Sequence, residues 1–142
     1  MIIDASVVLR GFFPDEEGTA QAQALIRDYT LDAVELLAPT LLPYEVTNAI
    51  VQAVRQGRIE PQVGKEVLST FQELAIPMAE PSFARVLEFA HRFDRSAHDA
   101  AYLALAEERE TQFLTSDQQL YNAVRKDLAW VVRLLDYTSL LA

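Results

Sequence analysis

Cysteine is absent from this chain of 142 residues, which excludes both a disulfide framework and a metal site built on thiolates. Histidine is scarce, with only His91 and His98, so we expect any metal ion to be held by carboxylate oxygens. The sequence also lacks a run of about 18 apolar residues and a basic segment followed by a long apolar one. We therefore expect no signal peptide, no membrane span and a cytoplasmic location.

Basic residues are few, with 12 Lys and Arg against 21 Asp and Glu, and the formal net charge is −9. This charge argues against broad, non-specific binding of nucleic acid, because phosphate contacts depend on Lys and Arg. A small site remains possible, in which local basic residues and bound cations hold the polymer. Hydrophobic residues make up 51% of the chain, enough for one compact core, and we expect a single domain over residues 1–142.

Short apolar segments alternate with amphipathic ones along the chain. The pattern predicts strands at residues 1–3, 33–38, 75–79, 112–115 and 130–135, and helices at 17–28, 43–56, 61–74, 82–93, 100–108 and 117–126. A turn-rich passage at residues 10–15 precedes the first of these helices. Strands joined by helices are parallel, so the fold class is α/β, with helices on both faces of the sheet.

Residues 1–3 form an unbroken apolar run, as expected of a strand that is covered on both faces. Asp4 comes next, at the carboxyl end of this strand, which is where open α/β sheets bind their ligands. Alternatively, Asp4 starts a turn or caps the next element of the chain, with help from Ser6. Taken alone, this stretch supports both interpretations.

Four acidic residues fall at the same edge of the predicted sheet. Asp4 ends the first strand, Glu45 and Asp99 lie in the first turns of helices, and Asp117 comes just after the fourth strand. The carboxyl ends of parallel strands and the starts of the following helices share one rim, so these side chains can converge. Each also has a structural explanation as a helix cap or as a partner of the helix dipole, but four on one rim favour a site.

Clustered carboxylates repel one another unless a cation lies between them, and an all-oxygen site suits Mg²⁺ or Mn²⁺. Such ions activate water and stabilise charge on an attacked phosphate, so the pattern predicts metal-assisted phosphodiester hydrolysis. Smaller polar residues beside the four acids are candidates to orient the carboxylates or to contact the substrate: Ser6, Asn48, Thr115 and Ser116. Ser6 and Asp4 would project on the same side if the first strand continued.

Flanking arginines Arg10, Arg92 and Arg95 are the candidates for phosphate contact. We assign no catalytic role to His98, because adjacent residues of a helix diverge by about 100°.

Four segments of this chain resemble the PIN-domain ribonucleases, especially the VapC-type toxins of bacterial toxin-antitoxin pairs. They are residues 3–7 (IDASV), 43–49 (PYEVTNA), 98–106 (HDAAYLALA) and 114–120 (LTSDQQL). The resemblance implies a three-layer PIN fold with a five-stranded parallel sheet, Mg²⁺- or Mn²⁺-dependent cleavage of RNA, homodimerisation, and inhibition by a small antitoxin protein. It also implies that the metal cluster is Asp4, Glu45, Asp99 and Asp117, supported by Ser6, Asn48 and Thr115. Many relatives have Tyr at the position of His98.

Two other functions are alternatives to a PIN-domain ribonuclease. A receiver or haloacid-dehalogenase-like domain also ends its first strand on an Asp, but here no second Asp stands two residues after Asp4 and no acidic pair precedes the strand. A non-catalytic PIN scaffold that binds RNA or a protein partner is the main alternative. It is disfavoured because such a scaffold has no chemical need for all four acidic residues.

Overall fold

The computed structural model describes residues 1–13 and 17–141. Two parts of the predicted turn-rich passage, Pro14 and Asp15, lie outside the described residues. The described residues form the following elements: β1 (Ile2–Ile3), α1 (Ala5–Phe12), α2 (Thr19–Thr30), α3 (Leu42–Arg55), α4 (Pro61–Glu73), α5 (Phe83–Phe93), α6 (Ala97–Glu108), β2 (Phe113–Thr115), α7 (Gln118–Val124), β3 (Val131–Arg133) and a 3₁₀ turn (Leu134–Asp136). The predicted α/β class is confirmed.

The sheet is parallel and has the strand order β1-β2-β3. Ile2 pairs with Phe113 and Ile3 with Leu114, while Leu114 pairs in turn with Val132. All residues of β1 and β2 are buried, which explains why their sequences are apolar without alternation. The carboxyl ends of these strands therefore meet at one rim, with Asp4 and Thr115 beside each other.

Two further segments extend this parallel arrangement through single bridges. Leu37 pairs with Ile2, and Met78 pairs with Ala38, both in parallel orientation. The predicted strands at residues 33–38 and 75–79 are therefore reduced to bridge residues. One reason for the second is that Ala75 has a φ of 49°, a left-handed conformation that a strand cannot contain.

Helix α1 corrects the expectation from the sequence, which predicted no helix before residue 17 and considered a strand that continued to Ser6. The chain turns at Asp4, whose side chain accepts from the Val7 backbone N–H as the N-cap of α1. Val7 and Val8 are β-branched and lower helix propensity, but both are buried in the core. Their burial stabilises the helix against its own propensity.

Helices α3 and α4, predicted at residues 43–56 and 61–74, form a helical hairpin in which glycine is needed at two points. Gly57 comes after the C-cap of α3 with a φ of 72°, a conformation that favours glycine. Gly64 lies where α4 crosses α3, and a Cβ atom there would lie 2.9 Å from Cγ2 of Ile50. Helix α6 is buried from Ala100 to Ala106 and lies at the centre of the molecule.

A buried carboxylate attaches the C-terminal segment to α2. Asp28 accepts hydrogen bonds from Tyr137 Oη at 2.6 Å, Ser139 Oγ at 2.7 Å and the Leu140 N–H at 2.9 Å. These bonds, led by that from Tyr137, lower the pKa of Asp28. We call Asp28 with residues 137–140 the C-terminal clasp.

Among the described residues, no helix is long and apolar enough to cross a membrane.

Candidate active site

Asp4 lies at the carboxyl end of β1 and its carboxylate is almost fully enclosed, with 7% of the residue exposed. Oδ1 accepts from Ser6 Oγ at 2.5 Å and from the Val7 N–H at 3.3 Å. Oδ2 accepts from Thr115 Oγ1 at 2.5 Å. Asp4 is therefore the cap of α1, as one of the two interpretations predicted, and it is also a buried carboxylate at the rim of the sheet.

Burial raises the pKa of the Asp4 carboxyl to about 6, although the hydrogen bonds from Ser6, Thr115 and Val7 oppose the shift. The negative charge of Asp117 raises it further. A buried carboxylate near a second one is stabilised by whatever positive charge can reach it, either a proton or a cation. A divalent cation bound here would stabilise the ionised form of the Asp4 carboxyl.

A chain of hydrogen bonds joins the end of β2 to α1. Thr115 Oγ1, which donates to Asp4, also accepts from the Asp117 N–H at 3.0 Å. The Ser116 N–H donates to Ser6 Oγ at 3.0 Å, and Arg10 Nε donates to Ser116 Oγ at 3.1 Å. The predicted polar residues Ser6, Thr115 and Ser116 are thus all in this network. Because Ser6 belongs to a helix and not to a continuing strand, it reaches Asp4 by turning back over the cap.

Glu45 lies in the first turn of α3 and is held by Tyr102 of α6, whose Oη donates to Glu45 Oε1 at 2.5 Å. Burial raises the pKa of Glu45, the bond from Tyr102 and the charge of His98 oppose the shift, and the charge of Asp99 adds to it. Tyr102 is only 2% exposed. Burial, and then the charges of Glu45, Asp4 and Asp99, raise its pKa, so Tyr102 lies within the field of three carboxylates.

Asp99 occupies the first turn of α6, where its N–H donates to the Ser96 cap at 3.0 Å. Arg95 donates to Asp99 Oδ2 from Nε at 3.1 Å and from Nη2 at 2.9 Å. Both bonds use the same oxygen, so the other carboxylate oxygen does not contact Arg95.

Asn48 is exposed one turn after Glu45, and among the described residues its side chain makes no hydrogen bond. Arg92 lies 3.8 Å from Asp127, in an ion pair with that residue.

Among the four predicted acids, the charge of Asp117 acts on Asp4 and the charge of Asp99 acts on Glu45, and we refer to these as the two pairs. Within residues 1–13 and 17–141, no three His, Asp or Glu side chains are close enough together to hold a metal ion as they stand. The donor set nevertheless fits a hard divalent cation, since every candidate ligand is a carboxylate oxygen. The burial of the Asp4 carboxylate beside the charge of Asp117 is the observation of this structure that supports the same conclusion.

The sequence did not predict Tyr102 as a site residue, and it predicted Arg95 only as a candidate for phosphate contact. A hydroxyl on a helix that is buried all round needs a partner, and this is the signal that could have found Tyr102. Arg95 precedes Asp99 by four residues, the spacing at which oppositely charged helix neighbours pair.

Comparison with known proteins places the chain in a family. The model of the PIN domain family matches residues 1–126. Ribonuclease VapC3 of Pyrobaculum aerophilum is 28% identical over 124 residues, which cover 84% of this chain and 91% of that protein. VapC ribonuclease Mb0985 of Mycobacterium bovis and ribonuclease VapC9 of Mycobacterium tuberculosis are each 30% identical over 122 residues, 84% of this chain and 87% of theirs.

A solved structure shares the fold. The crystal structure of PAE2754 from Pyrobaculum aerophilum superposes with a TM-score of 0.66 at 22% identity, covering 94% of this chain and 89% of the other. The buried parallel sheet, the carboxylates at its rim and the family match lead to one conclusion: the chain belongs to the PIN domain family, among its VapC-type members.

Proposed function

We propose that this protein is a metal-dependent endoribonuclease that hydrolyses RNA phosphodiester bonds at the rim formed by β1, β2, α3 and α6. The observation that carries the proposal is the Asp4 carboxylate, buried at the end of β1 and held on both oxygens by Ser6 and Thr115. The relatives named as ribonucleases support the choice of RNA as the substrate.

Asp4, Glu45, Asp99 and Asp117 would hold the cation, Mg²⁺ or Mn²⁺. When bound, the cation lowers the pKa of a water molecule and stabilises negative charge on the phosphate. The chain itself orients the ligands. Hydrogen bonds from neighbouring side chains to the carboxylates fix the direction of each ligand oxygen before the ion arrives.

Each carboxylate has its own support. Thr115 and Ser6 fix Asp4, Tyr102 fixes Glu45 and Arg95 fixes one oxygen of Asp99. Ser116 acts one step further out, because its backbone N–H holds the Ser6 hydroxyl. Asn48, exposed on the same face of α3 as Glu45, is in a position to contact substrate.

The chain has a net charge of −9 and repels the negatively charged RNA backbone, so positive groups close to the site must hold the phosphates. Arg10 and Arg95 are the arginines that contact the site residues. We propose that these two side chains and the bound cation provide that charge.

The VapC-type membership leads to further proposals about assembly and biology. We propose that the protein is the toxin of a toxin-antitoxin pair, that a small antitoxin protein inhibits it, that it is a homodimer and that it acts in the cytoplasm. We also propose that residues 1–142 are one domain, in which the segments around Leu37 and Met78 complete a five-stranded sheet.

The test is cleavage of a labelled single-stranded RNA by purified protein with Mn²⁺, compared with Asp99→Asn. We expect Asp99→Asn to lose more than the about 10- to 100-fold that loss of an outer contact costs. Asp127→Asn is the matched control, because Asp127 is an exposed Asp that pairs only distantly with Arg92. Equal activity of wild type and Asp99→Asn would favour the non-catalytic scaffold instead.

A further inference from the structure

Two exposed rings stand directly before acidic residues of the site. Tyr44 precedes Glu45 in the first turn of α3, and His98 precedes Asp99 in the first turn of α6. Tyr44 is 82% exposed. Tyr102 Oη, one turn into α6, donates to Glu45 Oε1 at 2.5 Å, which places the starts of the two helices beside each other. The carboxylates thus have a ring next to them on each of the two helices.

Packing does not explain the ring of Tyr44. Within the described part of the chain, the hydroxyl of Tyr44 makes no hydrogen bond and its ring contacts no other ring. The buried tyrosines behave differently, since Tyr102 bonds to Glu45 and Tyr137 to Asp28. An aromatic ring left in water beside a catalytic cluster is placed to meet a ligand with an exposed π face.

We propose that Tyr44 stacks on a nucleobase of single-stranded RNA next to the scissile phosphate. The inference rests on the proposed ribonuclease activity and names a residue that binds its substrate. Bases are free to stack on protein rings only where the RNA is unpaired. The acidic charge of the chain strengthens the argument, because a protein that gains little affinity from phosphate contacts needs a source of affinity that does not depend on charge.

A second copy of the chain is a poorer occupant for this ring. In a symmetric dimer both copies use the same surface patch, so a dimer that buried Tyr44 would bring Glu45 and Asp99 of both copies into one interface. Juxtaposed like charges oppose association. Phe83 and Leu87, which are exposed four residues apart on α5, offer an apolar surface elsewhere on the molecule.

The kinetic test compares wild type, Tyr44→Ala and Tyr44→Phe on single-stranded RNA with Mn²⁺. Loss of one stacked base raises KM for Tyr44→Ala by about 5- to 150-fold. The value of kcat changes little, because the ring contacts the base equally in the ground state and in the transition state. Tyr44→Phe keeps the ring and restores the wild-type KM. The KM ratio between Tyr44→Ala and wild type stays the same from about 50 to 200 mM salt, since stacking is not a phosphate contact.

The decisive comparison uses substrates with one base deleted at each position in turn. In the wild type, one abasic position near the cleavage point raises KM, and in Tyr44→Ala the same deletion has no further effect. Leu87→Ala is the control for loss of an exposed apolar side chain, since Leu87 is 72% exposed on α5. Unchanged KM in Tyr44→Ala, or an abasic effect that persists in it, overturns the inference.

Two other outcomes are separable. Dissociation of an oligomer by Tyr44→Ala, seen by analytical ultracentrifugation, would make the ring a protein contact and overturn the inference. If wild type and Asp99→Asn are equally inactive, the proposed function fails by itself, and binding of the uncut RNA measured by fluorescence anisotropy still decides the role of Tyr44. Equal affinity of wild type and Tyr44→Ala would then refute it.

Discussion

Asp4→Asn should make the metal-free protein more stable at neutral pH even though it removes the residue that is central to the proposed activity. Burial raises the pKa of Asp4 to about 6 in the folded protein, from an ordinary value of 3.8. The folded state therefore holds the proton more tightly than the unfolded state does. The stability that this proton gives is fully present below pH 3.8 and is lost as pH rises through 6.

The size of the effect can be worked from this difference. About 2 pKa units at about 1.4 kcal/mol each correspond to about 3 kcal/mol of unfolding free energy lost by neutral pH. Asn carries no charge to desolvate, so it recovers part of this loss, and its amide meets the Thr115 hydroxyl in place of Oδ2. We expect a gain of about 1–3 kcal/mol, or a rise in Tm of up to about 10 °C.

The assay is thermal unfolding of wild type and Asp4→Asn in EDTA between about pH 4 and pH 8. The Tm difference should be largest at neutral pH and shrink towards pH 4, where Asp4 in the folded wild type is protonated. Added Mn²⁺ should raise the Tm of the wild type but not of the variant. A variant that is no more stable than wild type at neutral pH, or a difference independent of pH, would refute the reasoning. Asp127→Asn controls for loss of an exposed carboxylate.

Three further substitutions test the supporting contacts. Thr115→Val removes a buried donor to Asp4 and should cost about 1–3 kcal/mol in urea unfolding, while moving the acidic limb of the pH–activity profile to higher pH. Tyr102→Phe removes the hydroxyl that holds Glu45 and should lower Mn²⁺-dependent RNA cleavage by about 10- to 100-fold, while the ring keeps its stacking on Phe113. Asp28→Asn should reduce amide hydrogen-exchange protection in the C-terminal clasp, and in the wild type the same loss should occur as pH falls through the lowered pKa of Asp28.

The helices from α2 onward were predictable from two kinds of signal. Helices α2 to α5 have apolar periodicity, and α5, α6 and α7 begin after a residue whose side chain caps the first turn. Ser82 and Ser96, for example, accept from the backbone N–H three residues on, and serine is a favoured residue at this position. Helix α1 was not predictable in this way. Its Val7 and Val8 favour strand on propensity alone, and only burial against the sheet and the cap from Asp4 select the helix.

Chain order alone led to the prediction that Asp4, Glu45, Asp99 and Asp117 lie at one edge of a parallel sheet. The side-chain contacts at this edge could not be predicted, because they join residues distant in sequence, such as Tyr102 with Glu45 at a separation of 57 residues. Likewise, the single bridges at Leu37 and Met78 depend on the path of the backbone, which apolar composition does not specify.

The central claim is that all four carboxylates share a divalent cation. Isothermal titration of Mn²⁺ into wild type, Asp4→Asn and Asp99→Asn at neutral pH tests it most directly, because the two variants remove one acid from each pair. We predict that both variants bind Mn²⁺ at least about tenfold more weakly than wild type, whereas Asp127→Asn binds as wild type does. Wild-type affinity in either Asp4→Asn or Asp99→Asn would contradict the claim that the two pairs form one site.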